Sequence, residues 1–152
     1  MENVNIRTEH PRPDAVRECW LNLNGQWDFE IDNALVGLEK HFENRDSLDG
    51  KITVPFCPES VLSGVKHTDF MNSVWYRRDI AIPNSWENKR VLLHIDACDY
   101  ETTVFVNAKK IGTHKGGYTP IDLDMVATLR KTMALFPGCA VELQGMDYHY
   151  LF

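Results

Sequence analysis

Two pairs of carboxylates have a spacing that acid–base chemistry could use. Asp99 and Glu101 are two residues apart, and so are Asp122 and Asp124. In an extended strand such residues lie on the same face, about 6.7 Å apart, near the separation of the carboxyl pairs of some hydrolases. The chemistry also needs one carboxyl group to be desolvated and the other solvated, so that their pKa values separate. Spacing does not supply that difference, so solvated or turn-capping carboxylates are the better interpretation.

The stretch "HKGGYTPIDLD", residues 114–124, contains a Gly-Gly pair that could cradle a phosphate. A phosphate loop needs several spaced glycines and a Lys-Ser/Thr pair that opens a helix. Here Gly116 and Gly117 are followed by Tyr-Thr-Pro, and Pro120 has no amide hydrogen to offer an anion. We therefore predict a bend between strands, fixed by the packing of Tyr118 and Pro120.

No other motif predicts a catalyst or a cofactor. The serines lack a G-x-S-x-G elbow, and no cysteine stands in a recognisable reactive context. The four cysteines lie roughly forty residues apart without a C-x-x-C pair, and the six histidines are scattered. We expect reduced thiols, no metal site and no cofactor.

Charge and hydropathy exclude two classes of partner. The net charge is −6, the isoelectric point is about 5.4, and basic residues form no run longer than a pair, so nucleic acid is not an expected partner. No apolar stretch approaches the roughly 20 residues that a membrane span needs. The opening "MENVNIRTEHPRP" has no apolar signal core. We expect a cytoplasmic protein with no membrane partner.

Short apolar-rich runs, several with strict alternation, predict an all-β protein. The first strand follows the turn signal Asn24-Gly25. Only "DLDMVATLRK" has the pattern of a helix, with Asp122 or Asp124 as N-cap, which predicts one short helix near 124–131. Many short strands with almost no helix favour an antiparallel β-sandwich. The later strand segments are "KITVPF", "VWYRRDIAI", "KRVLLHIDA" and "ETTVFVN", the last continuing into a hairpin partner, "AKKIGTH".

Tryptophan side chains could stack on sugar rings, because their flat apolar faces fit the C–H face of a pyranose. The candidates are Trp20, Trp27, Trp75 and Trp86. Trp27 and Trp75 lie in alternating strand patterns, so core packing is the better interpretation for both. Trp86 lies in the polar loop "PNSWENK" and is expected to be at least partly exposed.

Six phrases occur in a highly specific order and spacing: "HPRP", "LNGQWDFEID", "ITVPFCPES", "WYRRDIAIP", "KRVLLHIDACDYETTVFVN" and "IGTHKGGYTPIDLDM". Together they resemble the N-terminal sugar-binding domain of glycoside hydrolase family 2, the family of β-galactosidases, β-glucuronidases and β-mannosidases. The resemblance covers about residues 10–129 of a chain that we expect to be a single domain, 1–152, with an atypical tail, 130–152. It implies a jelly-roll, galactose-binding-like β-sandwich whose partner is a carbohydrate, a β-glycoside.

The resemblance also implies where catalysis takes place. In the family's intact enzymes this domain packs against an immunoglobulin-like domain and a catalytic (β/α)₈ barrel, which carries the two glutamates of a retaining mechanism. A chain of 152 residues has no room for those domains. We therefore expect it to contain no catalytic residue and to be inactive by itself, as a fragment of such an enzyme or a stand-alone relative.

Four residues are implied as substrate-binding positions. Asp69 and Asn72, in the loop "HTDFMN", would offer hydrogen bonds to sugar hydroxyls. Asp147 would match the acidic residue that follows the last strand of the family's domain. His114 would lie on the face where the missing barrel docks.

The sequence departs from the family's pattern at two places. The tail "KTMALFPGCAVELQGMDYHYLF" lacks the usual Gly-Asn pair, although the alternation over residues 140–145 is compatible with a last strand. Ala108 stands where the family usually has Gly after Asn. A two-residue type I′ turn needs positive φ at both central positions, which Ala accepts poorly, so we expect a longer hairpin loop.

Three functions fit these observations. The chain could be the non-catalytic carbohydrate-binding domain of a β-galactosidase- or β-glucuronidase-like enzyme, a stand-alone carbohydrate-binding module, or a structural domain that supports a barrel or an oligomer interface. Without its partner domains the chain is expected to expose an apolar face and to self-associate.

Overall fold

The computed structural model describes residues 9, 14, 18–87, 89–125 and 138–146, the last range by its backbone alone. Between residues 18 and 87, the loops contain the short 3₁₀ helices Phe42–Asn44, Val61–Ser63 and Asn84–Trp86. No helix in this part of the chain is long and apolar enough to cross a membrane. The strands are β1 (Gly25–Ile31), β2 (Gly50–Val54), β3 (Val74–Ala81), β4 (Leu92–Ile95), β5 (Glu101–Val106), β6 (Lys109–Lys115), β7 (Ile121–Asp124) and β8 (Gly138–Met146).

The strands form two antiparallel sheets. The large sheet has six strands in the order β2-β1-β3-β8-β5-β6, and the small sheet pairs β4 with β7. Side chains of both sheets, such as Trp27 and Val104 from the large one and Leu93 and Ile121 from the small one, meet in one apolar core. This arrangement confirms the predicted antiparallel β-sandwich.

Alternation along β3 supplies apolar side chains to both faces of the large sheet. Tyr76 belongs to the core between the sheets and makes an edge-to-face contact with Phe29. Its neighbour Trp75 is fully buried on the opposite face, in a second cluster under the segment that follows β1. The predicted burial of Trp27 and Trp75 is confirmed, and Trp86 is half-buried, as expected. The other members of the second cluster are Phe42, Leu48 and Phe105.

The last strand lies in the middle of the large sheet. The backbone of β8 pairs with β3 from Val74↔Gly145 to Ala81↔Gly138, and with β5 on its other side. The strand predicted from the alternation over residues 140–145 is therefore present. Asp147, the next residue after β8, lies outside the described residues.

Asp122 does not begin a helix, so the prediction of Asp122 as an N-cap is wrong. It lies in β7 and pairs with His94 of β4. Ile121 and Leu123 alternate with the two aspartates, and this period of two buries Ile121 in the core. Residues 126–131, where the rest of the predicted helix falls, lie outside the described residues.

The β5–β6 hairpin has a two-residue turn, so the longer loop predicted from Ala108 is wrong. Val106 pairs with Lys109, which leaves only Asn107 and Ala108 between the strands. Their φ angles are 50° and 61°, the left-handed values of a type I′ turn. Pairing along both strands fixes the register, and Ala108 adopts a conformation that Gly would adopt without steric cost.

Candidate functional site

The loops that carry the predicted site residues meet at one end of the large sheet. Because the strands are antiparallel, β1, β8 and β6 finish at the end where β3 and β5 begin, as the pairs Ile31↔Val74, Glu101↔Met146 and Glu101↔Lys115 show. We call this the loop end. The segment before β3, with Asp69 and Asn72, belongs to the loop end, as do the last residues of β6, with His114, and the loop that follows them. Strand β8 ends between these two parts.

Asn72 is exposed and oriented by a reciprocal contact with a second loop. Its backbone N–H donates to Asn33 Oδ1 at 3.0 Å, and its side-chain Nδ2 donates to the Asn33 carbonyl at 2.8 Å. Asp69, three residues earlier, is also exposed. This part of the loop end therefore presents an amide and a carboxylate to solvent, the groups that bind sugar hydroxyls through hydrogen bonds.

Asp32, at the end of β1, holds the loop that contains Asn33. Its side chain is buried, with the residue 4% exposed, and accepts hydrogen bonds from the backbone N–H groups of Val36 at 2.9 Å and Gly37 at 2.7 Å. Trp75 Nε1 donates to the same carboxylate at 3.4 Å. A Cβ atom on residue 37 would lie 2.3 Å from Trp75 Nε1, so the close packing requires glycine there. Asp32 is not among the residues predicted from the sequence, although an Asp that ends a strand and precedes a polar loop is a typical turn-forming residue.

His114 stabilises the loop that follows β6. It is half-buried opposite Thr102 of β5, and its Nε2 shares a hydrogen bond of 2.9 Å with Thr119 Oγ1. Gly116, with φ of 131°, donates its N–H to the Tyr100 carbonyl at 2.8 Å. The Gly-Gly pair is therefore a bend, as predicted.

The bend is not fixed by packing of Tyr118 and Pro120, and that part of the prediction is wrong. Tyr118 is 98% exposed and Pro120 is exposed as well. Backbone contacts of the glycines and the His114–Thr119 hydrogen bond take the place of side-chain packing.

The predicted residues share the loop end but do not form one contact cluster. His114 lies on β6, three strands away from the start of β3 where Asn72 lies, which is about 14 Å at the usual spacing of strands. Asp69 and Asn72 therefore form one part of the loop end and His114 another.

Exposed aromatic side chains also gather at the loop end. In the described part of the chain, the strongly exposed aromatics are Phe70, Tyr100 and Tyr118, at 54%, 55% and 98%. All three lie on loops at this end. The tryptophans are the stacking candidates predicted from the sequence, but Trp27 is buried in the core between the sheets and Trp75 in the second apolar cluster. Exposure of a loop tyrosine depends on tertiary packing and has no signal in the sequence.

Neither pair of closely spaced carboxylates has the environment of an acid–base pair. Asp122 is bonded to His94 Nδ1 and Asp124 to Arg90 Nε at 2.7 Å, all on the exposed face of the small sheet. Glu101 is paired with Lys115 Nζ at 3.0 Å. The interpretation as solvated or structural carboxylates is confirmed for these three residues.

Thiol and phenol groups near the core are protonated at neutral pH. Burial, and then a hydrogen bond with Glu59, raises the pKa of the Cys57 thiol. Burial also raises the pKa of the Cys98 thiol and that of the Tyr76 hydroxyl. The thiolate is the reactive form of cysteine, so neither thiol is poised as a nucleophile. Within the described residues no group of three or more His, Cys, Asp or Glu side chains could hold a metal ion.

Comparison with known proteins connects this geometry to a family. The family model for the sugar binding domain of glycosyl hydrolases family 2 matches residues 60–148. A β-glucuronidase from Paenibacillus borealis is 28% identical over 116 residues, which cover 76% of this chain and 19% of that protein. The β-glucuronidase of Rattus norvegicus is 29% identical over 145 residues, covering 82% of this chain and 22% of the relative.

Solved structures support the same relationship. The β-glucuronidase of Lactobacillus rhamnosus matches 82% of this chain and 20% of its own, with a TM-score of 0.65 and 27% identity. A β-glucuronidase from Ruminococcus gnavus has the same fold, with a TM-score of 0.69 at 24% identity, over 82% of this chain and 20% of that chain. The chain thus spans about a fifth of the length of these relatives. Because the family model covers more than half of the sequence, the chain belongs to the sugar binding domain family of the glycosyl hydrolases of family 2.

Proposed function

We propose that the chain is the non-catalytic, carbohydrate-binding domain of a β-glucuronidase-like glycoside hydrolase, in which it contributes part of the substrate pocket. The observation that carries the proposal is Asn72, which is exposed at the loop end and yet oriented by two hydrogen bonds with Asn33. A polar side chain that is fixed before its ligand arrives loses little entropy on binding. The four relatives described above are all named as β-glucuronidases, which supports a glucuronide as the substrate class.

In this proposal hydrolysis belongs to the catalytic barrel that the family resemblance implies, which lies outside the chain. The described residues offer paired or exposed carboxylates and protonated thiols. We expect the purified chain to release no 4-nitrophenol from 4-nitrophenyl β-D-glucuronide above the rate in buffer. Turnover that copurifies with the chain would contradict the proposal that hydrolysis takes place outside it.

Binding is tested by titrating the isotopically labelled chain with D-glucuronate and following amide chemical shifts. We expect shifts at residues 33 and 69–72, with a dissociation constant in the millimolar range. Asn72→Ala should weaken binding about fivefold, the effect of one lost hydrogen bond. Asn84→Ala is the matched control, because Asn84 is an exposed asparagine beyond the opposite end of β3. A flat titration would leave only a structural role for the loop.

His114 and Asp147 remain proposed members of the substrate-binding face. His114 is half-buried and engaged with Thr119, which suits a residue that shapes the loop where another domain docks. Asp147 follows directly on β8, which ends at Met146 between the Asn72 and His114 loops.

We also propose that the isolated chain self-associates and that it is cytoplasmic. Exposed aromatic side chains at the loop end support self-association, since exposed apolar surface favours contacts between copies. Free thiols at Cys19, Cys57 and Cys98 support a reducing compartment. Sedimentation velocity over a range of concentrations tests the first, and a monomer at every concentration would contradict it. Fractionation of the source cells tests the second.

A further inference from the structure

We infer that Asn33 is a second residue that contacts the sugar at the Asn72 site, and that the two side-chain amides bind two hydroxyls of one pyranose ring. The Asn72 side chain accepts a hydrogen bond from one hydroxyl, and the Asn33 side chain donates a hydrogen bond to the other. The inference rests on the proposed function and deepens it, because it states which groups of the glycoside this site recognises.

Three hydrogen bonds join the two loops that carry the asparagines. The Asp32 N–H donates to the Ser73 carbonyl at 2.8 Å, directly beyond the last pair between β1 and β3. The two bonds between Asn33 and Asn72 follow. Asn33 therefore lies beside Asn72 through contacts within the chain, whatever covers the loop end in a longer protein.

Backbone partners fix the orientation of both side-chain amides. A backbone N–H can only donate and a backbone carbonyl can only accept. The Asn72 N–H donates to Asn33 Oδ1, and Asn72 Nδ2 donates to the Asn33 carbonyl. Turning either amide over would place two donors or two acceptors against each other. Both amides are thus oriented before a sugar arrives, so little conformational entropy is lost on binding.

One atom of each amide takes no part in this contact. Asn72 Oδ1 can only accept a hydrogen bond, and Asn33 Nδ2 can only donate one. Within the part of the chain that the structure describes, neither atom has a hydrogen-bond partner. Each is attached to the same carbon as an atom that makes the contact. A sugar that reaches Asn72 Oδ1 is therefore also within reach of Asn33.

Hydroxyl groups fit this donor and acceptor better than a carboxylate does. A hydroxyl can both donate and accept, so two hydroxyls of one sugar satisfy the two amides. An ionised carboxylate can only accept. It could pair with Asn33 Nδ2, but it would bring a second acceptor towards Asn72 Oδ1. The two asparagines therefore recognise ring hydroxyls of a pyranoside, and the carboxylate of a glucuronide is recognised elsewhere.

The first test is a titration of the isotopically labelled chain with methyl β-D-glucopyranoside and with methyl β-D-glucuronide, followed by amide chemical shifts. The two ligands differ only at carbon 6, where the glucuronide has a carboxylate. We expect shifts at residues 33 and 72 with both ligands, and dissociation constants that agree within about twofold.

Fluorinated glucosides test the direction of each hydrogen bond, since fluorine in place of a hydroxyl cannot donate. Among the monodeoxyfluoro derivatives of the glucoside, one should bind about fivefold more weakly, because Asn72 Oδ1 loses its donor. A second should bind the wild-type chain nearly as well as the parent glucoside does. That derivative should bind Asn33→Asp about fivefold more weakly, because fluorine and a carboxylate oxygen can only accept.

Two controls accompany the Asn33→Asp variant. Its carboxylate still accepts from the Asn72 N–H, so the temperature coefficient of that amide proton should not change. Ala34→Asp is the matched variant, because it adds the same charge to the next residue, which makes no bond to Asn72. We expect Ala34→Asp to bind every derivative as the wild-type chain does.

The inference and the proposed function fail separately. If Asn33→Asp binds every fluorinated derivative as the wild type does, or if Ala34→Asp causes the same loss, the contact of Asn33 with the sugar is overturned and the proposed function stands. Shifts at residues 33 and 72 with the glucuronide alone would also overturn the inference, because the site would then recognise the carboxylate. An absence of shifts with both ligands would contradict the proposed function itself, and the inference with it.

Discussion

Ala108 lies in the two-residue turn between β5 and β6 with a φ of 61°. A left-handed conformation costs a residue with a Cβ atom about 1–2 kcal/mol. Glycine has no such cost, but it loses more backbone entropy on folding, about 0.5–1 kcal/mol. The difference predicts that Ala108→Gly raises the free energy of unfolding by about 1 kcal/mol. For a domain of this size that corresponds to a rise of about 2–4 °C in melting temperature.

The assay is thermal unfolding followed by circular dichroism, with urea titrations to establish that the m-value is unchanged. Ala81→Gly is the control, because Ala81 is an exposed strand residue whose backbone is outside the left-handed region. There the entropic cost alone remains, so the melting temperature should fall. A lower melting temperature for Ala108→Gly, or changes of the same sign in both variants, would refute the left-handed turn.

Two further predictions concern buried polar groups. Asp32→Ala should lower the free energy of unfolding by about 3 kcal/mol in urea titrations, because the buried N–H of Gly37 and the partly buried N–H of Val36 lose their acceptor. Asp69→Ala, at an exposed carboxylate, should change the free energy of unfolding by less than about 0.5 kcal/mol. Equal effects of the two substitutions would contradict the anchoring role of Asp32. Alkylation by iodoacetamide should be slower at Cys57 than at exposed Cys19. Alkylation of Cys57 should accelerate only at higher pH, because the raised pKa of Cys57 keeps the thiol protonated. Equal pH profiles of the two cysteines, measured by mass spectrometry, would contradict the raised pKa.

The strands could be predicted from the sequence because alternation reports burial on two faces. In β3 the adjacent aromatics Trp75 and Tyr76 both become buried, one in each apolar cluster, since the large sheet is covered on both sides there. In β7 the same alternation was present, but Asp122 was interpreted as a helix cap. The segment forms a strand and not the start of a helix, because Ile121 fills the core opposite β4.

The site could be predicted only as separate pieces. The resemblance pointed to Asp69, Asn72 and His114, but no feature of the sequence indicates that their loops share one end of a sheet. That fact follows from strand order, in which β8, from the far end of the chain, separates β3 from β5. The predicted packing of Tyr118 is wrong for a related reason, since the residue is exposed. The bend is closed by glycine backbone contacts, which leave no space that its ring must fill.

Stability and ligand orientation are connected at the loop end through one carboxylate. Asp32 bonds to Trp75 of the second apolar cluster and to the backbone of the loop that begins with Asn33. Asn33 in turn orients Asn72. Loss of the Asn72 side chain removes one hydrogen-bonding group together with its bond to the Asn33 carbonyl, but it leaves the contacts of Asp32 in place. Loss of the Asp32 carboxylate releases the loop itself, so binding should weaken together with the free energy of unfolding. The two variants therefore separate the proposed contact of Asn72 with the sugar from the positioning effect of Asp32.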